Sequence, residues 1–324
     1  PDGLPVRNGT YTAPFDCEVP ELAGGTLARP VVYGHGLLGS LREVRSGPQL
    51  DMVANHDMLY CATTTIGMSE QDIGNAATIL TELSSFGTLP DRSQQGILNT
   101  LFLGRLLKHP QGFPSHEAFQ PAGGTGLIDT GTLFYDGNSQ GGIIGGAVVA
   151  VSTDTEAGVL GVTGMNYSTL LERSVDFDPF NAIFAGTYPD RVDRVVGIGL
   201  IQMLWDRGET NGYAAHLTDR PLPGTPPHRV LAQVAVGDHQ VATLTAEVLA
   251  RTAGMAVHRP PYAEGRTSDV EPAWGIPSLV YPWSGSALTI WDSGAPLAPL
   301  ENVPPRTGED PHSDPRRAPA AQQQ

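Results

Sequence analysis

Lysine is all but missing from this chain. Lys108 stands alone among 324 residues, and the other basic side chains are arginines, 19 basic residues against 34 acidic ones. The formal charge of −15 argues against a nucleic-acid backbone as partner, since polyphosphate is held where cations gather. It says little of substrate, because acidity chiefly serves solubility. No apolar run approaches the ~18 residues of a membrane span. No H-E-x-x-H or comparable helical ligand pair occurs. Cysteine is limited to Cys17 and Cys61, which form one disulfide in an exported protein or two buried thiols in a cytosolic one. No methionine opens the chain; Pro1-Asp2-Gly3 does, as in a mature or trimmed form. What is abundant is glycine (39) and proline (28), which predicts long ordered loops in place of a helical bundle. The length suffices for one large α/β domain or two smaller ones.

Glycine is most concentrated from Leu133 to Gly146, LFYDGNSQGGIIGG. A short apolar strand (Leu133, Phe134, Tyr135) runs into Gly137-Asn138-Ser139-Gln140-Gly141, and a small-residue helix follows to Val151. G-x-S-x-G between strand and helix has a mechanical reason. Ser139 must sit on a turn tight enough to lift its hydroxyl above the sheet edge. Glycines two residues to either side let strand and helix approach without a Cβ clash. The N–H of Gln140, at the helix start, can then face a developing oxyanion.

Upstream, Gly9 to Val19 is strand-like, with Tyr11 and Phe15 as anchors, and Gly24-Gly25 makes a turn. Pro30 to Tyr33 reads as a buried parallel strand that breaks into Gly34-His35-Gly36-Leu37-Leu38-Gly39-Ser40. A glycine-rich loop there suits a second oxyanion donor, the N–H of Leu37, with His35 as the alternative structural hydrogen-bonder. Gln49 to His56 reads as helix and Met58 to Ile66 as strand. From Asp91 to Lys108 the stripe Ile97, Leu98, Leu101, Phe102, Leu106 predicts a core-facing helix with Asp91 as N-cap.

Gly158 to Asn166 predicts the next strand, and Tyr167 to Pro227 breaks the strand–helix rhythm as an insertion over the site, with a helix at Val192 to Trp205. Arg229 to Val236 is again a strand. It ends at Asp238, where a triad acid belongs, although Asp238 could also cap a helix over Val241 to Ala253. His239 is read as structural. Ser278 to Trp283 and Ala287 to Trp291 are strand candidates, and Trp274, Trp283 and Trp291 are read as packing. His312 is the histidine in a late polar loop, whereas His258 comes too early. Residues 316–324 read as a disordered tail.

Taken together, Ser139, Asp238 and His312 in that order, with the H-G-L-L-G and G-N-S-Q-G motifs, resemble the α/β-hydrolase superfamily, and within it bacterial secreted lipase- and esterase-like proteins. The resemblance covers about Val31 to His312. It implies a mostly parallel central sheet flanked by helices, with residues 1–166 and 228–315 as core and 167–227 as a cap. It implies Ser139 as nucleophile, Asp238 as acid, His312 as base, and Leu37 and Gln140 as oxyanion-hole amides. The implied activity is cleavage of a small-molecule or polymeric carboxylic ester without metal or organic cofactor, in a secreted or periplasmic protein. Two departures stand out: only one strand precedes Val31, and the histidine lies close to the tail.

Rival readings use the same residues. A peptidase or amidase, or a cofactor-free haloperoxidase-like enzyme, would share the triad, whereas epoxide hydrolases and dehalogenases need a carboxylate where Ser139 stands. Asp238-His239 and Asp310-x-His312-x-Asp314 offer ligands for a metal-dependent hydrolase. A catalytically silent binding module on the same fold is the third class. Gly123-Gly124-x-Gly126 lacks the lysine and the context of a phosphate loop.

Overall fold

The computed structural model describes residues 6–22, 25–120 and 126–324. The Gly24-Gly25 turn and the Gly123-Gly124-x-Gly126 pattern lie partly outside them. Short segments form the strands: β1 (Phe15–Glu18), β2 (Arg29–Gly34), β3 (Met58–Thr63), β4 (Phe134–Asn138), β5 (Ala157–Gly161), β6 (Arg229–Ala235), β7 (Ala256–Val257) and β8 (Ala287–Trp291). They make one sheet in the order β1-β3-β2-β4-β5-β6-β8-β7, with β1 antiparallel to β3 and every other pair parallel. Parallel neighbours need crossovers. These carry the helices α1 (Gly47–His56), α2 (Ile73–Ile79), α3 (Thr88–Lys108), α4 (Gln140–Val151), α5 (Tyr167–Leu170), α6 (Asp178–Thr187), α7 (Arg191–Trp205) and α8 (Thr243–Ala253). Two short helices, α9 (Asp314–Arg317) and α10 (Pro319–Gln322), close the chain. Because the parallel strands all point one way, the loops after β2, β4 and β6 emerge at one edge, where ligands bind in sheets of this kind.

Several sequence expectations change here. The long helix begins at Thr88, with Gly87 at its N-cap, so Asp91 lies inside the first turn and pairs with Arg207 (2.7 Å). Its buried face is Ser93, Gly96, Ile97, Thr100, Leu103, Gly104 and Leu107, while Leu98, Phe102 and Leu106 are exposed. Small residues were needed where the helix lies against backbone: a Cβ on Gly96 would stand 2.5 Å from the Ile66 carbonyl oxygen. Ser278 to Trp283 is not a strand. Pro277 and Pro282 withhold two ladder donors, and only an isolated bridge joins Ser278 to Val257; the two-residue β7 takes that edge. Trp274 and Trp283 are exposed and pack little. The tail is ordered: Ala321 is buried, and its carbonyl accepts from Gln233 Nε2 on β6 at 2.9 Å.

Cys17 and Cys61 face each other directly in the β1–β3 register and form a disulfide, which ties the antiparallel edge strand to the sheet.

Candidate active site

The turn after β4 is held in a conformation that costs about 1–3 kcal/mol. Ser139 has φ 59° and ψ −122°, a left-handed backbone on a non-glycine residue. The crowding explains the flanking glycines. A Cβ on Gly141 would lie 2.0 Å from the Gly34 carbonyl oxygen, and one on Gly137 would lie 2.4 Å from that of Gly141. The Ser139 N–H donates to Gly161 O on the neighbouring strand (2.8 Å), and its hydroxyl makes no capping bond to α4. Gln140 opens α4, so its N–H is one of the donors a helix leaves unpaired.

The loop after β2 supplies a second such amide. His35 is buried, its Nδ1 donating to Gly36 O (2.8 Å) and its Nε2 accepting from the Thr65 N–H (2.9 Å). Burial lowers its pKa, which keeps it a neutral strut between the β2 and β3 loops. Glu43 braces the same loop by accepting from the Gly36 N–H (2.7 Å) and the Tyr33 hydroxyl (2.9 Å). Within the loop, the Gly36, Leu38 and Gly39 N–H groups are taken by Glu43, Met68 O and Gly36 O. Leu37 N–H takes part in none of these bonds. Leu37 and Gln140 both line the cavity that contains Ser139.

Past β6, Asp238 is buried and serves two partners. Its Oδ1 accepts from the Gln240 and Val241 N–H groups (2.8 and 2.9 Å), which closes a turn ahead of α8, and its carboxylate receives His312 Nδ1 at 2.8 and 3.0 Å. The expected helix cap is therefore a turn closure; Ala242 is the N-cap of α8. His312 is not in an exposed loop. It sits buried in the turn Pro311–Ser313. Asp310 joins the two turns: its Oδ1 accepts from the His239 and His312 N–H groups (3.1 Å each) and its Oδ2 from Gln240 Nε2 (2.8 Å). Burial alone would raise the Asp310 carboxyl, but those N–H bonds together outweigh it and hold the pKa below its ordinary value. Arg316 then reaches Glu43 at 3.1 Å, linking the histidine turn to the β2 loop.

His239 acts through its backbone, its carbonyl accepting from the Val175 N–H (3.0 Å). His258 is exposed and stacks on Tyr281. Among the described residues no group of three or more His, Cys, Asp or Glu is arranged to hold a metal ion. The oxygens of Asp310 are occupied by N–H donors.

A cavity of about 90 Å³ opens beside Ser139. Between β5 and β6 the chain forms no strand, and residues 167–227 carry α5, α6 and α7. Phe184, Ile198 and Trp205 from this stretch wall the cavity together with Ile79, Phe86 and Leu89 from the α2–α3 region, and Phe86 meets Trp205 edge-on with ring centroids 5.0 Å apart. Gln240 and Val241, in the Asp238 turn, also line it, so that turn borders the space beside Ser139, while the ring bonds of His312 go to Asp238. Asp176 lines it too. Burial raises its pKa, with His312 opposing and Asp310 and Asp238 reinforcing the rise.

Sequence reading missed Glu43, Arg316, Asp176 and Tyr167 and took Asp310 for a possible metal ligand. Only Asp310 carried a local signal, a D-P-H pattern whose aspartate can cap the turn that follows. Tyr167 is buried, stacks on Trp205 with ring centroids 4.0 Å apart, and donates its hydroxyl to Gln140 Oε1 (2.6 Å).

No family model matches the sequence, and no curated protein matches it. Solved structures do. The chain is similar to acetyl xylan esterase from Paenibacillus sp. R4 (TM-score 0.50, 12% identity, 93% of this chain on 76% of that one). It is equally similar to acetyl xylan esterase 1 from Thermoanaerobacterium sp. JW/SL YS485 (TM-score 0.50, 13% identity, 92% on 75%). It also matches the Pyrococcus horikoshii acylaminoacyl peptidase at TM-score 0.43 and 14% identity, 74% of this chain spanning only 32% of that one.

Proposed function

From the α/β-hydrolase fold of this chain, we propose that it is a serine hydrolase that cleaves carboxylic esters through Ser139, His312 and Asp238. The observation that carries the proposal is the buried His312–Asp238 pair, set at the same edge of the sheet as Ser139 on its strained turn. His312 takes the Ser139 proton as the hydroxyl attacks the ester carbonyl. Asp238 fixes the tautomer, with Nδ1 protonated and Nε2 free as base, and stabilises the imidazolium that forms. The N–H groups of Leu37 and Gln140 receive the tetrahedral oxyanion, each worth ~3 kcal/mol by the scale of other serine hydrolases. The alcohol leaves, and water resolves the acyl-enzyme through the same histidine.

Residues 167–227 act as a cap that shapes the acyl site, supported by the apolar side chains they bring to the cavity. The compartment is an oxidising one, secreted or periplasmic, supported by the Cys17–Cys61 disulfide. A fluorophosphonate probe tests the nucleophile directly. It is expected to label one site, mapped by peptide mass spectrometry to Ser139; labelling elsewhere, or none, removes the proposal.

A further inference from the structure

Of the residues that wall the cavity beside Ser139, Asp176 alone carries a charge. The two carboxylates nearest it in the site are fully engaged. Asp238 holds His312 and the Gln240 and Val241 N–H groups, and Asp310 holds the His239 and His312 N–H groups and the Gln240 amide. Neither oxygen of Asp176 accepts a hydrogen bond from the described residues, and neither is sealed off: the side chain is half-buried and open to the cavity. Its backbone is pinned to the triad. The Asp176 N–H donates to Ser174 Oγ (3.2 Å), and the Val175 N–H donates to the carbonyl of His239, the residue after Asp238 (3.0 Å). Only a positive charge on His312 would favour the ionised form of Asp176, and that charge exists only while the imidazole holds a second proton. A partly buried carboxylate with neither donor nor lasting cation is destabilising, and a ligand that supplies the cation relieves it.

We propose that Asp176 determines specificity for esters whose alcohol half carries a cation, an ammonium group a few bonds from the ester oxygen. This rests on the esterase reading and narrows it. The histidine shows which half of the ester is concerned. As the tetrahedral intermediate collapses, its C–O bond to the alcohol breaks and the leaving oxygen takes its proton from His312 Nε2. The departing alcohol therefore lies on the His312 side of Ser139. Asp176 stands on that side, within the field of His312 and in one wall with Gln240 of the Asp238 turn. His312 Nε2, like the Asp176 oxygens, is neither bonded nor sealed off. Phe177 and Phe180, close to Asp176 in the chain and lining the same cavity, suit the alkyl shell of an ammonium, which aromatic faces also attract. An uncharged alcohol of equal shape fits the space but leaves the carboxylate unpaired, and an anionic one is repelled. That difference sets specificity.

The test compares butyrylcholine with its uncharged carbon isostere, neohexyl butyrate, in a pH-stat at about pH 8, where carboxyl groups are ionised. Both esters give the same butyryl-enzyme, so the ratio of their kcat/KM values reads the alcohol half alone. Intrinsic reactivity and any general loss of rate cancel when the wild-type ratio is divided by that of a variant. Asp176→Asn is expected to lower the preference for the cationic ester about tenfold, the scale of one lost charged contact. Asp176→Glu, which keeps the charge, should retain most of the preference, with circular dichroism melts confirming that each variant folds. Free choline should inhibit the wild type more strongly than neohexyl alcohol does, and should lose that lead in Asp176→Asn. A preference within about twofold of wild type in folded Asp176→Asn would overturn the cation subsite, whether both rates hold or both fall together, and Ser139-dependent hydrolysis would leave the esterase reading standing. Absence of Ser139-dependent hydrolysis of every ester would overturn both.

Discussion

His312 Nδ1 lies 2.8 Å from one oxygen of Asp238 and 3.0 Å from the other, with both side chains buried. That contact places the proton on Nδ1 and leaves Nε2 free for the role of base proposed above. Asp238→Asn keeps the shape but offers an N–H where a carboxylate oxygen was, and so favours the wrong tautomer. The expected result is a fall in kcat of about 10⁴-fold with KM little changed, read from steady-state kinetics. A fall under about tenfold would mean that Asp238 serves the turn and not the histidine.

Asp310 is expected to position the base without touching substrate. Its carboxylate holds the His239 and His312 N–H groups and the Gln240 amide together. Asp310→Ala should release the Pro311–Ser313 turn and lower kcat about 10²-fold, as a misplaced catalytic group does. KM should move little, and Asp310→Asn, which keeps one acceptor oxygen, should recover part of the loss. An equal loss in both variants that follows their melting temperatures would reduce Asp310 to a fold-stabilising role.

The disulfide closes a loop between residues separated by 44 positions. By the chain-entropy relation, a loop of that length contributes about 4 kcal/mol. The double variant Cys17→Ser, Cys61→Ser should lose about that much in urea unfolding, with the activity of the folded fraction preserved. Two free thiols in the denatured, unreduced wild-type protein would contradict the pairing.

Glu209 predicts a pH dependence of stability. Burial pushes its carboxyl up from 4.5 to about 7, against the opposing hydrogen bonds from Gln202 and the Tyr167 N–H. Between those values the folded state keeps a proton that the unfolded chain has given up. Its contribution is therefore whole below about pH 4.5, declines as pH rises, and levels off above about 7. Glu209→Gln keeps the oxygen that accepts from Tyr167 and Gln202 and removes the titration. The variant should match wild type near pH 4.5 and exceed it by roughly 3 kcal/mol at pH 8. Parallel stability curves across that range would contradict this.

What the sequence disclosed and what it withheld divide along physical lines. G-N-S-Q-G could be read because its glycines answer a local demand, backbone passing within van der Waals contact of backbone. The parallel strands could be read because burial on both faces leaves continuous apolar runs, as at Pro30 to Tyr33. Asp238 and His312 were found by chain order, and the geometry brings them into contact. The stripe on α3 misled because its inner face lies against main chain and so had to be small, leaving Leu98, Phe102 and Leu106 outside. Glu43 and Arg316, 273 positions apart, have no local signature at all. Nor does Tyr167, whose hydroxyl finds Gln140 only once α5 folds over the elbow. The tail looked disordered by composition, yet Gln233 and the sheet behind it give it a surface to pack on.

The most direct measurement is hydrolysis of p-nitrophenyl butyrate by wild type and Ser139→Ala, each with and without a chelator. Activity is expected to be indifferent to the chelator and to fall to background in the variant. Activity that survives Ser139→Ala, or disappears from the wild type on chelation, would contradict a serine nucleophile at the β4–α4 turn.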